Sequence, residues 1–272
     1  MSDPWISTIY LKCRRSDRDK KTVLYCRKHT GPLMVQHPFY PEGEKKSCHI
    51  YLLYPPGGIV GGDKLFVNLY MNKNTKVLLT MPSITKFYFS KSSKSSSLTQ
   101  YFFLEEKATL EFLPPETLLF PGAYAEITTY FYIQKNSKII AWDNLSFGRT
   151  VLKEPFDKGN CNYKLQIWQS DILLLYEKLC ISNGDLSIIN HYPLLSTLIA
   201  TPANEQLLNI VRKIIYNKRI IAGATLLDSS LLVVRMLCNN DNYLRTILYK
   251  LWDVLRPEII GDISFPPRIW FT

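Results

Sequence analysis

The chain has 272 residues, 46% of them apolar and 21% charged, and its 33 Lys and Arg against 23 Asp and Glu leave a formal charge of +10. That length allows one large domain or two small ones with a sizeable core, and the composition excludes a disordered chain, a collagen and a small disulfide scaffold. No 18 apolar residues run together, and Met1-Ser2-Asp3-Pro4-Trp5 lacks the charged-then-apolar profile of a secretory leader, so a cytoplasmic location and no membrane partner are expected.

Taken in chain order, the first feature is a basic stretch. Lys12, Arg14, Arg15, Arg18, Lys20, Lys21, Arg27 and Lys28 outnumber Asp17 and Asp19. Such a stretch attracts nucleic acid, an anionic membrane or an acidic protein face, and on a hairpin edge it equally discourages strand-to-strand aggregation. From residue 22 to about 175 short runs rich in Val, Ile, Thr, Tyr and Phe are broken by turn residues, the pattern of strands. Val23–Cys26, Ile50–Tyr54, Val77–Thr80, Thr109–Phe112, Thr129–Ile133 and Leu165–Trp168 are examples. The serine- and lysine-rich stretch 90–97 reads as a mobile surface loop, because it has no apolar area to bury. No repeat of about 20 to 50 residues is visible.

The period changes near Pro202. Asn204-Glu205-Gln206 leads into Leu207, Leu208, Val211, Ile214 and Ile215 on one helical face. A hairpin is expected from Gly223 to Leu237, turning near Asp228-Ser229. A second helix carries Leu244, Ile247, Leu248, Leu251 and Leu255 until Pro257 stops it. The fold expected is mainly β: a stacked or sandwiched sheet system with two C-terminal α-helices. It is read as one domain over 1–272, strand-rich over 1–200 and helix–hairpin–helix over 201–272.

Chemistry-bearing motifs are sparse. Tyr54-Pro55-Pro56-Gly57-Gly58-Ile59-Val60-Gly61-Gly62-Asp63-Lys64 needs its glycines for tight turns or close backbone approach. It has neither the Gly-Lys-Ser/Thr of a phosphate loop nor a following helix, which excludes both common nucleotide cradles. There is no G-x-S-x-G elbow and no H-E-x-x-H. The six cysteines form no C-x-x-C pair and are expected reduced. Cys48 and His49, adjacent on a strand, point to opposite faces and cannot chelate one ion together. Asp63, Glu116 and Asp143 are candidate acid–base groups, each with a turn-cap or surface-charge alternative. Thr85-Lys86-Phe87-Tyr88-Phe89, followed by Lys91 and Lys94, interleaves rings and cations as a single-strand platform does, although a plain strand and basic loop accounts for it as well.

Read together, several motifs resemble one family. Gly31-Pro32-Leu33, Pro38-Phe39-Tyr40-Pro41-Glu42 and the run from Cys48 to Asp63 come first. Lys86-Phe87-Tyr88, Leu110-Glu111-Phe112-Leu113-Pro114, Phe120-Pro121-Gly122-Ala123, Ala141-Trp142-Asp143, Gly148-Arg149, Ala222-Gly223-Ala224, Trp252, Leu255-Arg256-Pro257 and Pro267-Arg268-Ile269-Trp270 follow in order. They resemble the urease accessory protein family UreD, called UreH in some species, from about residue 31 onward. His37, Tyr54, Ser83-Ile84 and Pro115 depart from its usual residues.

The resemblance implies a β-rich, non-enzymatic maturation factor for urease that binds UreF, recruits the GTPase UreG in a 2:2:2 assembly and docks on the urease apoprotein. Nickel would be transient cargo passed through a hydrated interior route, with no cofactor of the chain's own. Sparse oxygen ligation suits onward transfer better than a tight His/Cys cluster. The candidates for lining that route are Asp63, Asp143, Glu116 and His49, and the signature turn is Pro55, Pro56, Gly57, Gly58, Gly61 and Gly62. Leu207, Val211, Ile214 and Arg268 are candidates for contact with UreF, the rival being that the apolar ones seal the chain's own core. The alternative function is a basic nucleic-acid-binding β protein, and an enzyme would need a carboxylate with a strongly displaced titration in a closed pocket.

Overall fold

The structure is a computed structural model that describes residues 4–54, 56–216, 219–228 and 230–271. Strand formation begins with β1 (Ile6–Arg15), β2 (Thr22–Thr30), β3 (Met34–Val35), β4 (Cys48–Leu53), β5 (Lys64–Met71), β6 (Lys76–Thr80) and β7 (Thr85–Phe87). It continues through β8 (Ser96–Leu104), β9 (Thr109–Phe112), β10 (Thr117–Leu119), β11 (Tyr124–Ile133), β12 (Lys138–Arg149), β13 (Glu154–Pro155), β14 (Asn160–Gln169) and β15 (Ile172–Ile181). β16 (Leu194–Thr201) precedes helix α1 (Glu205–Ile215), the hairpin of β17 (Ile220–Leu227) and β18 (Leu231–Cys238), and helix α2 (Asp241–Ile259).

These elements form two stacked sheets with both helices on one side. One sheet has the order β15-β14-β11-β8-β5-β1-β2, the other β17-β18-β16-β12-β9-β6-β4-β3, with β7, β10 and β13 attached beside β12. The chain alternates between them: β5, β8, β11 and β14 join the first sheet in parallel, and β6, β9 and β12 join the second in parallel. The result is a coil whose recurrence the sequence does not display, because each inward position requires an apolar type rather than one residue.

Strand patterns follow the layers. Along β8, Leu98, Phe102 and Leu104 point into the inter-sheet core while Thr99, Tyr101 and Phe103 are half-exposed, an alternation set by the pleat. β12 is buried from Ile139 to Gly148 because one face meets the other sheet and the opposite face meets the helices. Trp142 accordingly belongs to the helix-side core with Leu207, Val211, Leu251 and Trp252.

Two expectations need revision. Pro257 does not end the second helix, which runs to Ile259; the Asp253 carbonyl that a residue-257 N–H would have engaged accepts from the Ser264 hydroxyl at 3.3 Å instead. The stretch 90–97 is exposed only from Lys91 to Ser95. Ser90 and Ser96 are buried, the first against the glycine-rich turn and the second inside β8. The hairpin read between the helices is present as β17 and β18, and β18 pairs with β16 and extends the second sheet. Both helices are capped by asparagine: Asn204 and Asn240 accept from the backbone N–H of Leu207 and Tyr243 at 2.9 and 2.8 Å.

Candidate functional site

The four carboxylate and histidine candidates fall in four different environments. Asp63 closes the glycine-rich turn. Its Oδ2 accepts from Val60 N–H at 3.0 Å and its Oδ1 from Trp5 N–H at 2.8 Å, so both oxygens serve the backbone. The glycines act through close approach: a Cβ on Gly58 would lie 2.2 Å from the Tyr88 ring, and one on Gly61 2.2 Å from the Ser90 hydroxyl. Pro55 lies outside the described residues, and Pro56 is exposed. Phe87 is fully buried and Tyr88 covers Gly58, so the ring-and-lysine run 85–89 exposes one ring, Phe89, rather than a row of stacking faces.

His49 lies on the helix side of β4, opposite Cys48, which faces the inter-sheet core. Its Nε2 is 2.9 Å from Glu42 Oε1 in a cluster whose His49, Glu111 and Arg256 side chains are fully buried and whose Glu42 is partly so. Arg256 on α2 donates to Glu42 at 2.7 Å, to Glu111 at 2.9 Å and to the Ile263 carbonyl. Glu111 also accepts from Trp252 at 2.8 Å and Ser47 at 3.1 Å. Burial pushes Glu42 upward, but hydrogen bonds from His49 and Arg256 outweigh it and hold the carboxyl below its usual range. Burial raises Glu111 despite Arg256 and Trp252. This cluster ties the residues before and within β4, the centre of the second sheet and the C-terminal segment together, which makes it a structural clasp. Sequence reasoning missed it, although a glutamate inside Leu110-Glu111-Phe112 and an arginine inside Leu255-Arg256-Pro257 are each conspicuous on an apolar face.

Glu116 borders a different space, a cleft of about 150 Å³ on the helix side lined by Trp142, Asp241, Arg245, Tyr249 and Trp270. Burial raises its pKa first and the Asp241 carboxylate second, with Arg245 opposing both. β12 separates this cleft from the inter-sheet layer.

Asp143 sits in that inter-sheet layer, inside an otherwise apolar core. Across the gap the first sheet presents Gln100 from β8, Thr129 from β11 and Tyr163 from β14. A cavity of about 10 Å³, room for one water, borders Asp143, Thr129 and Thr197. Gln100 donates to the Thr129 hydroxyl at 3.0 Å. Gln100 Oε1, Asp143 Oδ2 and the Tyr163 hydroxyl are buried with no hydrogen-bond partner. Burial pushes Asp143 up to about 7; Tyr163, Thr129 and the Asn144 N–H face it closely enough to oppose that rise without closing a bond to Oδ2. The polar seam continues to the sandwich edge. Asp143 is in register with Thr197, and Thr197 with Arg235, which bridges the sheets by binding Glu177 on β15. Gln100, Thr129, Tyr163, Thr197, Glu177 and Arg235 carried no sequence signal of their own, since strand pairing alone assembles them.

The expected partner contacts divide as well. Leu207 and Val211 are 4% and 0% exposed within the chain's own core, because the apolar face of α1 packs on the second sheet and α2. Ile214 is half-buried against that core and Arg268 is exposed. Among the described residues no three His, Cys, Asp or Glu side chains are grouped to hold a metal ion. No helix among them is long and apolar enough to cross a membrane.

The model of the UreD urease accessory protein family matches residues 8–271. The chain belongs to the UreD family. It is 43% identical to a urease accessory protein UreD of Enterobacter sp. (strain 638) over 253 residues, 93% of this chain and 91% of the relative. It is 43% identical over 263 residues to that of Pseudomonas putida (strain GB-1), covering 97% and 94%, and 40% identical over 268 residues to that of Klebsiella aerogenes, covering 98% and 97%. Membership places the chain in urease maturation as an accessory protein, and the mainly β architecture with two helices agrees with the resemblance read from the sequence.

Proposed function

We propose that the chain acts in urease maturation without catalysing a reaction, as a scaffold that joins UreF and the GTPase UreG, docks on the urease apoprotein and routes nickel toward it. The observation that supports the routing is Asp143: a carboxyl in a polar seam between two apolar sheet faces, its own Oδ2 unpartnered along with two further polar atoms of the seam. Buried groups of this kind are costly where packing alone matters. They suit a cation that must be attracted and released, because an approaching divalent charge lowers the carboxyl's pKa and the proton leaves as the ion arrives. Oxygen donors, few and mutually unbonded, hold nickel weakly. In this reading Asp143 is the principal route residue. Asp63 and His49 keep the walls in place, and Glu116 attracts ions at the helix-side cleft.

The test is nickel content and activity of urease matured in cells carrying Asp143→Ala. Loss of nickel per urease, with the variant still folded and still bound to its partners, is the expected result. Full nickel loading at ordinary nickel supply removes Asp143 from the account.

A nucleic-acid role fits the surface poorly. The ring faces that a base would use are already occupied by neighbouring rings on the outer face of the first sheet.

A further inference from the structure

The outer face of the seven-stranded sheet carries two rows of stacked rings. Tyr70, Phe103 and Tyr132, one residue from each of β5, β8 and β11, stack at 4.6 and 4.9 Å with interplanar angles of 7°. Tyr101 and Tyr130 form the second row at 5.0 Å and 4°. Those spacings match the distance between strands, so the rings stand on edge and present their rims outward. No helix covers this face among the described residues, as both pack on the other sheet. A sheet with a five-strand parallel centre, β1-β5-β8-β11-β14, normally has both faces covered.

Charge on the face is predominantly positive, Glu126 on β11 being an exposed exception. Lys12, Arg14 and Lys28 flank the rings on the β1–β2 side, Lys12 lying over Tyr70 at 5.6 Å and Arg14 over Tyr25 at 5.2 Å. On the other side Lys164 and Lys178 are directly opposite each other across β14 and β15. Like charges in that position destabilise a sheet, and neither lysine has an ion-pair partner among the described residues. Edge protection explains lysines on the edge strands β2 and β15. It does not explain Lys12, Arg14 and Lys164, which lie one strand further in.

We infer that this face docks an acidic protein surface, one whose carboxylates meet the two basic margins and whose apolar centre covers the ring rims. A second copy of the chain would bring the same positive charge against itself. The assignment rests on the maturation reading and names the chemistry of a partner site within it.

The experiment measures capture of purified UreF, UreG and urease apoprotein, each separately, by the full chain and by two double variants, Lys164→Glu with Lys178→Glu and Lys12→Glu with Lys28→Glu. A single-stranded oligonucleotide and phosphatidylserine vesicles serve as the other arms. At about 100 mM salt the reversals should weaken capture of one acidic-faced partner by about tenfold or more, with an unchanged unfolding midpoint and a smaller effect at about 500 mM. Unchanged capture by both variants overturns the assignment, as does a loss confined to the oligonucleotide or the vesicles. Failure of the unaltered chain to capture any of the three proteins refutes the maturation reading and this site with it.

Discussion

Replacing Asp143 by Asn changes a titratable group for one of the same shape, so the effect on stability follows from the proton alone. In the folded chain the carboxyl is pushed from 3.8 up to about 7 by burial. Between those two values the unfolded chain has released a proton that the folded chain still holds. Stability therefore falls as pH rises through the window and is flat above it. At about 1.4 kcal/mol per pH unit, a slope that halves as pH reaches the folded pKa, the wild-type chain loses about 2 kcal/mol between pH 5 and pH 7 that Asp143→Asn does not lose. Urea unfolding of both proteins at pH 5, 6, 7 and 8 isolates this contribution, since every other group titrates in both. The variant should be the more stable protein at pH 8 by more than it is at pH 5. Parallel pH profiles would show that Asp143 ionises in its ordinary range and would refute the buried-carboxyl account.

Arg256→Met leaves Glu42 and Glu111 buried without their shared cation and should cost about 3 to 5 kcal/mol in chemical denaturation; a loss under about 1 kcal/mol contradicts the clasp. Asp63→Ala removes the acceptor of the Val60 and Trp5 N–H groups, and since both residues are half exposed the loss is about 0.5 to 1.5 kcal/mol each. Asp63→Asn retains an acceptor, so nickel loading lost in the alanine variant and kept in the asparagine variant marks Asp63 as a turn cap, whereas equal loss in both marks its charge as necessary.

Local periodicity made much of the fold legible. The alternation of Phe131 and Ile133 with Tyr130 and Tyr132 on β11 declares an inward face, and the spacing of Leu207, Leu208 and Val211 declares a helix with a buried stripe. The same alternation separates Trp142 from Asp143, one toward the helices and the other between the sheets. What periodicity cannot supply is the partner across a gap. Tyr163 meets Asp143 because β14 joins the first sheet while β12 joins the second. Glu111 meets Arg256 because α2 lies back over β9, across a separation of 145 residues. Pro257 misled because its effect depends on whether another group satisfies the freed carbonyl, and Ser264 does so from beyond the helix.

The contrast between the two buried polar groupings carries a last prediction. Around Arg256 the glutamates and the guanidinium are bonded to one another, and His49 Nδ1 alone of that cluster is left without a partner among the described residues. Around Asp143, Oδ2, the Tyr163 hydroxyl and Gln100 Oε1 are left without partners in the same molecule. Unmet polar groups of that kind cost about 1 to 3 kcal/mol each and persist where a function uses them. Tyr163→Phe removes one of them while leaving the ring in the core. The variant should be as stable as the parent or more so by urea unfolding at pH 5, where the folded Asp143 carboxyl is neutral, while delivering less nickel to urease. A destabilisation above about 1 kcal/mol would mean that the hydroxyl has a structural partner after all. Unimpaired delivery would mean that the seam does not carry the ion.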